Sequence, residues 1–227
     1  MAILDIIKSI YNTLYINLKA FKINDAIKIP IICGPNICFN HIEKNKIYFV
    51  NGISFKRIVI GRTQGSFKAG YKQMTYVNIG KNANITINDT FDIPCGSTLN
   101  VNGKLVIGNS FNPNCFLTIS CEKEIIIGNN CNIGWNTTII DGDGHSLCDL
   151  DNPSIAINKP RPVNIGDKCW LSAHVSILKG VSLANNTIIP YGSIITKSCN
   201  QANVIFGGTP NKIIKNNVAR IDFIDNK

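Results

Sequence analysis

The residues best suited to chemistry lie together in one short stretch, Asp141-Gly142-Asp143-Gly144-His145. A general base must change charge near neutral pH, and imidazole is the side chain that does so. Asp141 or Asp143 could hold the imidazole of His145 in one tautomer and stabilise its protonated form. The stretch therefore predicts a general base at His145, with one of the two carboxylates as its partner.

Other interpretations of the same stretch compete with catalysis. His145 could be a loop histidine satisfied by Asp143 without any chemistry, and the DGDG run could bind calcium, although the downstream bidentate Glu of a calcium loop is missing at the expected spacing. His41 and His174 are predicted to be surface residues, and three scattered histidines do not predict a zinc site. We therefore expect no metal. Cys148 is kept as a candidate nucleophile.

A six-residue period organises the chain around this stretch. Residues 165–200 divide into the hexads IGDKCW, LSAHVS, ILKGVS, LANNTI, IPYGSI and ITKSCN. Every first position is a large aliphatic residue, and every fifth position is small or β-branched. An apolar residue every six positions favours a three-sided solenoid with one short strand per face and three hexads per coil. This pattern predicts an all-β fold in which Cys131, Cys169 and Cys199 fill narrow interior positions.

The ladder extends upstream through a repeated signature of apolar-x-apolar-Gly, which ends at Gly61, Gly80, Gly108, Gly128 and Gly166, with Ala184 in place of the last Gly. If all copies of the signature lie on one face, neighbouring copies should be one coil apart. Their uneven spacing then predicts an insertion of about ten residues within 81–107 and one of about twenty within the coil that contains His145. The second insertion, a structureless loop over 146–162, is the expected place for a site. Asn109, Asn129-Asn130 and Asn185-Asn186, each just after the Gly or Ala of the signature, are predicted to stack at one corner and share side-chain hydrogen bonds.

The C-terminal motifs resemble those of the hexapeptide-repeat acyltransferases. The resemblance rests on Trp170-Leu171-Ser172, Lys179-Gly180-Val181, Gly192-Ser193, Thr196-Lys197 and Gly208-Thr209-Pro210, and it covers roughly residues 55 to 215. It implies a left-handed parallel β-helix, a triangular solenoid, that uses acetyl-CoA and assembles as a homotrimer with sites between neighbouring chains. In the similar sugar and polysaccharide O-acetyltransferases, an Asp-rich segment ends in the catalytic histidine, which corresponds to His145.

The same resemblance implies a binding site for acetyl-CoA. It places Trp170 beside the acetyl and pantetheine arm, with backbone N–H groups near Ser172, Ala173 and Tyr191 along it. Residues that correspond to phosphate contacts are Thr196, Lys197, Lys212 and Lys215. Lysines near the end of the chain suit a polyphosphate on charge grounds as well.

Composition narrows the class of protein. The 227 residues carry a formal charge of +9 from 23 Lys and Arg against 14 Asp and Glu. The basic residues are scattered and not interleaved with aromatics, so a phosphate-rich cofactor is favoured over nucleic acid. The charge could equally serve solubility. Nine cysteines without a CxxC pair suit a reducing compartment, and we expect a cytoplasmic protein.

We expect an N-terminal helix and irregular capping segment over 1–52, the acyltransferase solenoid over 53–215 and a C-terminal tail over 216–227. Within 1–22, an apolar stripe recurs every three or four residues: Ile3, Ile7, Ile10, Leu14, Leu18 and Phe21. Two interpretations stay open. The stripe could cover the open edge of the first coil, or it could anchor the protein peripherally at the inner face of the membrane.

The predicted function is transfer of acetyl from acetyl-CoA to a sugar hydroxyl of a cell-surface glycan or its precursor, by direct attack with His145 as general base. The alternatives are an N-acetyltransferase acting on an amino sugar and a non-catalytic solenoid scaffold. The sequence leaves open which acceptor, which hydroxyl and what donor chain length are used.

Overall fold

The chain winds into a triangular prism. The computed structural model describes residues 3–62 and 72–223. Successive short strands lie on three faces in turn, and strands of successive coils pair in parallel. The left-handed parallel β-helix predicted from the sequence is confirmed.

The described residues form two helices, seven coils and a closing hairpin, in chain order. The helices are α1 (Ile3–Ala20) and α2 (Ile23–Ala26). Coils 1 to 3 contain β1 (Ile31–Cys33), β2 (Ile37–Ile42), β3 (Ile47–Phe49), β4 (Ile58–Arg62), β5 (Thr75–Ile79), β6 (Asn84–Ile87), β7 (Phe91–Pro94), β8 (Thr98–Val101) and β9 (Lys104–Ile107). Coils 4 and 5 contain β10 (Asn112–Pro113), β11 (Thr118–Cys121), β12 (Glu124–Ile127), β13 (Asn132–Ile133), β14 (Thr138–Ile140), the excursion β15 (Cys148–Asp149) and β16 (Asn152–Ala156), and β17 (Val163–Ile165). Coils 6 and 7 contain β18 (Trp170–Leu171), β19 (Ser176–Ile177), β20 (Ser182–Leu183), β21 (Thr187–Ile189) and β22 (Ile194–Ile195), followed by β23 (Val204–Gly207), β24 (Lys212–Asn216) and a 3₁₀ helix (Ile221–Phe223).

Each face of the prism collects one strand from each coil. Face 1 consists of the sheets β1-β4-β7 and β10-β13-β18-β21-β23-β24, face 2 is β2-β5-β8-β11-β14-β19-β22, and face 3 is β20-β17-β12-β9-β6-β3. The pairing is parallel except for β23 with β24, and for the β15–β16 hairpin that projects from coil 5.

The hexad positions behave as predicted. Leu171 pairs with Ile133 and Ile189 on face 1, and all three side chains are fully buried. The fifth-position residues Cys131, Cys169 and Cys199 are buried as well. A six-residue step with period-two alternation returns the same side of the chain to the interior on each face, and this produces one continuous apolar core.

The Gly signature, by contrast, does not mark a single face. Gly61 lies in β4 on face 1, Gly80 follows β5 on face 2, and the later copies follow strands of face 3. Ile87 pairs directly with Ile107, so the insertion predicted within 81–107 is absent from that segment. The longer connection instead runs from β4 to β5 and contains residues 63–71, which are outside the described part of the chain.

The predicted side-chain ladder is present at the corner between faces 3 and 1. The Asn129 carboxamide oxygen accepts from the N–H of Asn109 at 2.8 Å, and the Asp167 carboxylate accepts from the N–H of Asn129 at 2.7 Å. Asn185 does the same for Asp167 at 2.9 Å. Each side chain thus satisfies a turn N–H of the preceding coil.

The N-terminal helix caps the first coil, but with the opposite face from the one its apolar stripe predicts. Asn17 donates to the carbonyl of Ile31 at 2.8 Å and accepts from its N–H at 3.1 Å, and the Thr13 hydroxyl accepts from the N–H of Cys33 at 3.0 Å. Asn12 donates to the carbonyls of Gly34 and Pro35. The open edge of β1 therefore receives polar side chains that complete its backbone hydrogen bonds.

All nine cysteines fall within the described residues and are free thiols, seven of them buried. Burial raises the pKa of the Cys33 thiol to about 12, which makes it a poor nucleophile.

No helix in 3–62 or 72–223 is long and apolar enough to cross a membrane.

Candidate active site

The loop that carries His145 leaves the solenoid at one point and returns to it. The N–H of Arg161 donates to the carbonyl of Asp141 at 2.8 Å, so the two ends of the loop meet between β14 and β17. The segment 146–162, predicted to be structureless, contains the β15–β16 hairpin. An excursion with paired ends and an internal hairpin can hold a side chain in a defined place outside the prism.

Asp141, one of the two predicted partners of His145, bonds the backbone of the preceding coil in this structure. Its carboxylate is fully buried and accepts hydrogen bonds from the N–H groups of Glu122, Lys123 and Glu124 at 2.6 to 2.7 Å. Two coils earlier along this corner, the carboxamide oxygen of Asn102 accepts in the same way from the N–H of Asn82. Asp141 therefore caps a turn of the preceding coil, and both of its oxygens are in use.

Asp143 also has partners other than the imidazole of His145. Its carboxylate forms an ion pair with Lys179 and accepts from the amide of Asn158 at 2.8 Å. The hydrogen bonds from Lys179 and Asn158 hold the pKa of the Asp143 carboxyl below its ordinary value. The Asn158 amide also donates to the carbonyl of His145 at 2.8 Å. Asp143 is therefore linked through Asn158 to the backbone of the loop.

The side chain of His145 is exposed on this clamped loop. Within 3–62 and 72–223, its ring makes no hydrogen bond, ion pair or ring contact. Gly144, immediately before it, has a φ of 75° with open space around it, a conformation that a residue with a Cβ would adopt only under strain. The backbone of His145 is therefore fixed while its imidazole remains available to a ligand or to another chain.

A separate cleft of about 330 Å³ opens on face 1 and at its corner with face 2. It brings together the predicted residues Trp170, Ser172, Ala173 and Tyr191. The remaining lining residues are Asn112, Asn114, Asn132, Ile133, Gly134 and Trp135. Two indole rings, a phenol and several carboxamides give the cleft apolar walls with a few polar groups, as small-molecule sites usually have.

The floor of the cleft depends on a close approach of two coils. A Cβ at Gly134 would lie 2.4 Å from the backbone nitrogen of Ala173, so only glycine fits there. The N–H of Ser172 is committed to the carbonyl of Ile189 at 2.9 Å. The N–H of Ala173 makes no hydrogen bond within the described segments, which leaves it as the free backbone donor of this pair.

His174 is exposed, as predicted, but it is not isolated. Its Nδ1 lies 3.2 Å from the amide nitrogen of Asn136, and its ring lies 5.0 Å from that of Tyr191, centroid to centroid. The contact with Tyr191 places His174 at the rim of the cleft. Its φ of 59° fits the tight corner between faces 1 and 2.

The predicted phosphate contacts do not line this cleft. Both the N–H and the hydroxyl of Thr196 bond the Asn211 carboxamide oxygen, so Thr196 fixes the closing turn. Lys197 is exposed beyond β22 on face 2. Lys212 and Lys215 lie exposed on β24, which belongs to the same sheet as the Trp170 strand.

The two candidate parts of the site lie at different corners of the prism. The loop of His145 leaves the corner between faces 2 and 3, because β14 precedes it and β17 follows it. The cleft of Trp170 opens at the corner between faces 1 and 2. The width of face 2 therefore separates the imidazole loop from the cleft within one chain.

Sequence reasoning missed several of the residues that build these features. Trp135 and Asn114 line the cleft, and Lys179 clamps the loop. Strand register indicates the first two. Asn132 pairs with both Asn112 and Trp170, so the segments that follow these three residues, with Asn114 and Trp135 among them, lie side by side. In the sequence, Lys179 stands out only as part of a motif. Its ion pair with Asp143 joins residues far apart in the chain, and local patterns do not indicate such a pair.

Comparison with known proteins supports this reading of the fold. Galactoside O-acetyltransferase of Escherichia coli is 39% identical over 54 residues, which cover 24% of this chain and 26% of that protein. The crystal structure of the polySia specific acetyltransferase NeuO superimposes with a TM-score of 0.54 at 25% identity, over 86% of this chain and 80% of that one. The chain is therefore similar to acetyltransferases both in sequence and in fold.

The chain also shares its fold with the polysialic acid O-acetyltransferase OatWY, with a TM-score of 0.55 at 23% identity over 84% of this chain and 89% of that one. No protein-family model matches the chain. The matched segments span about a quarter to a third of the length of the curated relatives. Among the described residues, no group of three or more His, Cys, Asp or Glu side chains could hold a metal ion.

Proposed function

We propose that the protein is an acetyl-CoA-dependent O-acetyltransferase that modifies a sugar hydroxyl of a cell-surface glycan or its precursor. One observation carries the proposal: an exposed imidazole, which has no partner in the described part of the chain, stands on a loop whose ends and backbone are clamped. The same fold elsewhere presents a Trp-lined cleft. The named relatives support a carbohydrate acceptor, since they act on galactosides and polysialic acid.

The cleft has the chemistry to receive acetyl-CoA. Trp135 and Trp170 offer flat apolar walls for the pantetheine arm, and the free N–H of Ala173 offers a donor to an amide or thioester carbonyl. Lys212 and Lys215 lie farther along face 1 with their side chains exposed, where ammonium groups can meet phosphates. Thr196 and Lys197 do not belong to this proposed path.

In the proposed reaction, His145 accepts the proton of the acceptor hydroxyl while the hydroxyl oxygen attacks the thioester carbonyl carbon. The new C–O bond forms, the C–S bond breaks, and the departing sulfur takes the proton back from the imidazolium. A backbone donor such as the Ala173 N–H stabilises the negative charge on the carbonyl oxygen. No covalent enzyme intermediate is needed. Cys148, exposed on β15, makes no hydrogen bond to a histidine among the described residues.

This reaction requires His145 and the cleft to meet. Because face 2 separates them within one chain, we propose a homotrimer in which the loop of one protomer reaches the cleft of the next. A closed ring of three copies joins two different surfaces of each chain, which suits two half-sites at different corners.

The test is transfer of radiolabelled acetyl from acetyl-CoA to a panel that includes polysialic acid and galactosides. His145→Ala should lower kcat by roughly a hundredfold or more, as loss of a general base does. His41→Ala is the matched control, since His41 is an exposed histidine that contacts Glu43 far from the cleft. Product label released in mild alkali identifies an ester, whereas stable label would identify an amide and an amino-sugar acceptor. A wild-type protein that binds no acetyl-CoA would contradict the proposal and favour a scaffold.

A further inference from the structure

The N-terminal helix is amphipathic in an inverted sense. The residues of α1 that face the solenoid are mostly polar or small: Ser9, Asn12, Ile16, Asn17 and Ala20. The large apolar residues point away from the protein, with Ile3 78%, Ile7 57%, Leu14 51% and Leu18 55% exposed. Phe21 is the one residue of this stripe that the described chain buries, so the apolar character of the others needs another explanation.

The exposed apolar surface continues beyond α1. Ile23 and Ile27 of the α2 region are 62% and 69% exposed, and Phe55 is 64% exposed. A groove of about 280 Å³ runs between α1 and the first coil, lined by Ile10, Leu14 and Phe55 among others. These residues form one apolar patch at the N-terminal end of the prism, which we call the end patch.

Positive charge is concentrated at the same end. Residues 1–62 contain nine Lys and Arg against three Asp and Glu, so this segment carries six of the nine net positive charges of the chain. Lys8, Lys19 and Lys22 lie in or directly after α1 and are exposed. An apolar stripe flanked by lysines is the pattern of a helix that lies in the interface of an anionic membrane.

We propose that the end patch binds the surface of a membrane that contains anionic lipids, with α1 parallel to the membrane plane. Its apolar side chains enter the boundary between headgroups and acyl chains, and the lysines meet lipid phosphates. A second copy of this chain is a poorer occupant, because two like-charged ends would repel each other. The inference is independent of the proposed acetyl transfer.

The test is sedimentation of the full chain with vesicles. Vesicles of phosphatidylcholine with about 30 mol % phosphatidylglycerol should bind the protein, while pure phosphatidylcholine should bind it far more weakly. Replacing Ile7, Leu14 and Leu18 together with Gln should lower the partition coefficient roughly a hundredfold, because three exposed apolar side chains no longer leave water. The matched control replaces Ile155, Ile157 and Ile221 with Gln, because these isoleucines are 52%, 63% and 85% exposed and lie outside the N-terminal end of the prism.

A second variant keeps the apolar stripe and removes charge. Lys8→Gln with Lys19→Gln and Lys22→Gln should weaken binding to the anionic vesicles, as should salt at roughly 1 M. Circular dichroism checks that each variant is folded. Equal vesicle binding by wild type and the Ile7/Leu14/Leu18 variant would overturn the proposal. The proposal would also be overturned if wild type bound neither kind of vesicle and the Ile7/Leu14/Leu18 variant had a lower oligomer mass, since the end patch would then join copies of the chain.

Discussion

The ammonium group of Lys179 forms an ion pair with the carboxylate of Asp143, two residues before His145. Lys179 also donates to the carbonyl of Asn158 at 3.0 Å, and the amide of Asn158 donates to the carbonyl of His145. The side chain of Lys179 is only 17% exposed, in the turn between β19 and β20. A lysine of coil 6 therefore fixes the loop that leaves coil 5.

Removal of this clamp should impair catalysis without affecting the cleft. Lys179→Met is expected to lower kcat roughly tenfold or more, because misplacement of a reacting group by a fraction of an ångström is costly. The affinity for CoA, measured by calorimetry, should stay unchanged. Lys81→Met serves as the control, since Lys81 is exposed in an earlier coil. An unchanged kcat in Lys179→Met would show that the clamp does not position His145.

The same ion pair predicts a dependence of stability on acid pH. The pKa of Asp143 in the folded protein lies below its ordinary value of 3.8, chiefly because of the hydrogen bond from Lys179. The stabilisation from the ionised Asp143 carboxylate is therefore fully present above the ordinary pKa of 3.8. It is lost as the pH falls through the lowered pKa of the folded protein. Urea unfolding of wild type and Lys179→Met between about pH 2 and 6 should show a difference that is constant at the upper end and shrinks at the lower end. A difference that grows on acidification would contradict this assignment.

Asp141 should matter for stability. Asp141→Ala leaves three partly buried N–H groups without their acceptor, which should cost about 2 to 4 kcal/mol of unfolding free energy. Chemical denaturation measures this loss. Asp151→Ala, at an exposed carboxylate in the hairpin, should change stability by less than about 0.5 kcal/mol. If Asp141→Ala stayed as stable as wild type yet lost activity, Asp141 would be a catalytic partner after all.

A site shared between chains predicts complementation. His145→Ala and Ser172→Trp should each be inactive, the second because the indole fills the cleft. Refolding the two together should restore about a quarter of wild-type activity, since each mixed trimer regains one intact site. Activity that stays at zero in verified mixed trimers would place both half-sites in one chain.

Asn17 should hold α1 against the first coil. Its carboxamide satisfies both backbone groups of Ile31, and the residue is 2% exposed. Asn17→Ala should reduce stability by about 1 to 3 kcal/mol, because these edge groups lose their partners. Hydrogen exchange at the N–H of Ile31 should quicken accordingly. Asn78→Ala, whose carboxamide lies in a half-buried ladder on face 2, provides the comparison. Unaltered exchange at Ile31 would show that the helix edge is protected by other contacts.

Much of the fold could be predicted because its determinants are local. The six-residue recurrence of buried anchors such as Leu171 and Ile177 follows directly from strand alternation, and the stacked Asn residues follow from turn geometry. The phase of the Gly signature could not be assigned, because one signature occurs on all three faces. Only strand pairing distinguishes Gly80 on face 2 from Gly108 after a strand of face 3.

The sequence by itself determined the solenoid, its core and the position of His145 on a loop, because those features repeat or interrupt a period that neighbouring residues set. Only the tertiary structure decided which partners the polar groups take. In the folded chain, Asp141 bonds the turn of the previous coil, Asp143 pairs with Lys179, and the polar side of α1 bonds the edge of β1. Such choices depend on which unsatisfied backbone and charged groups the winding brings within hydrogen-bond distance, and residues distant in the chain supply them.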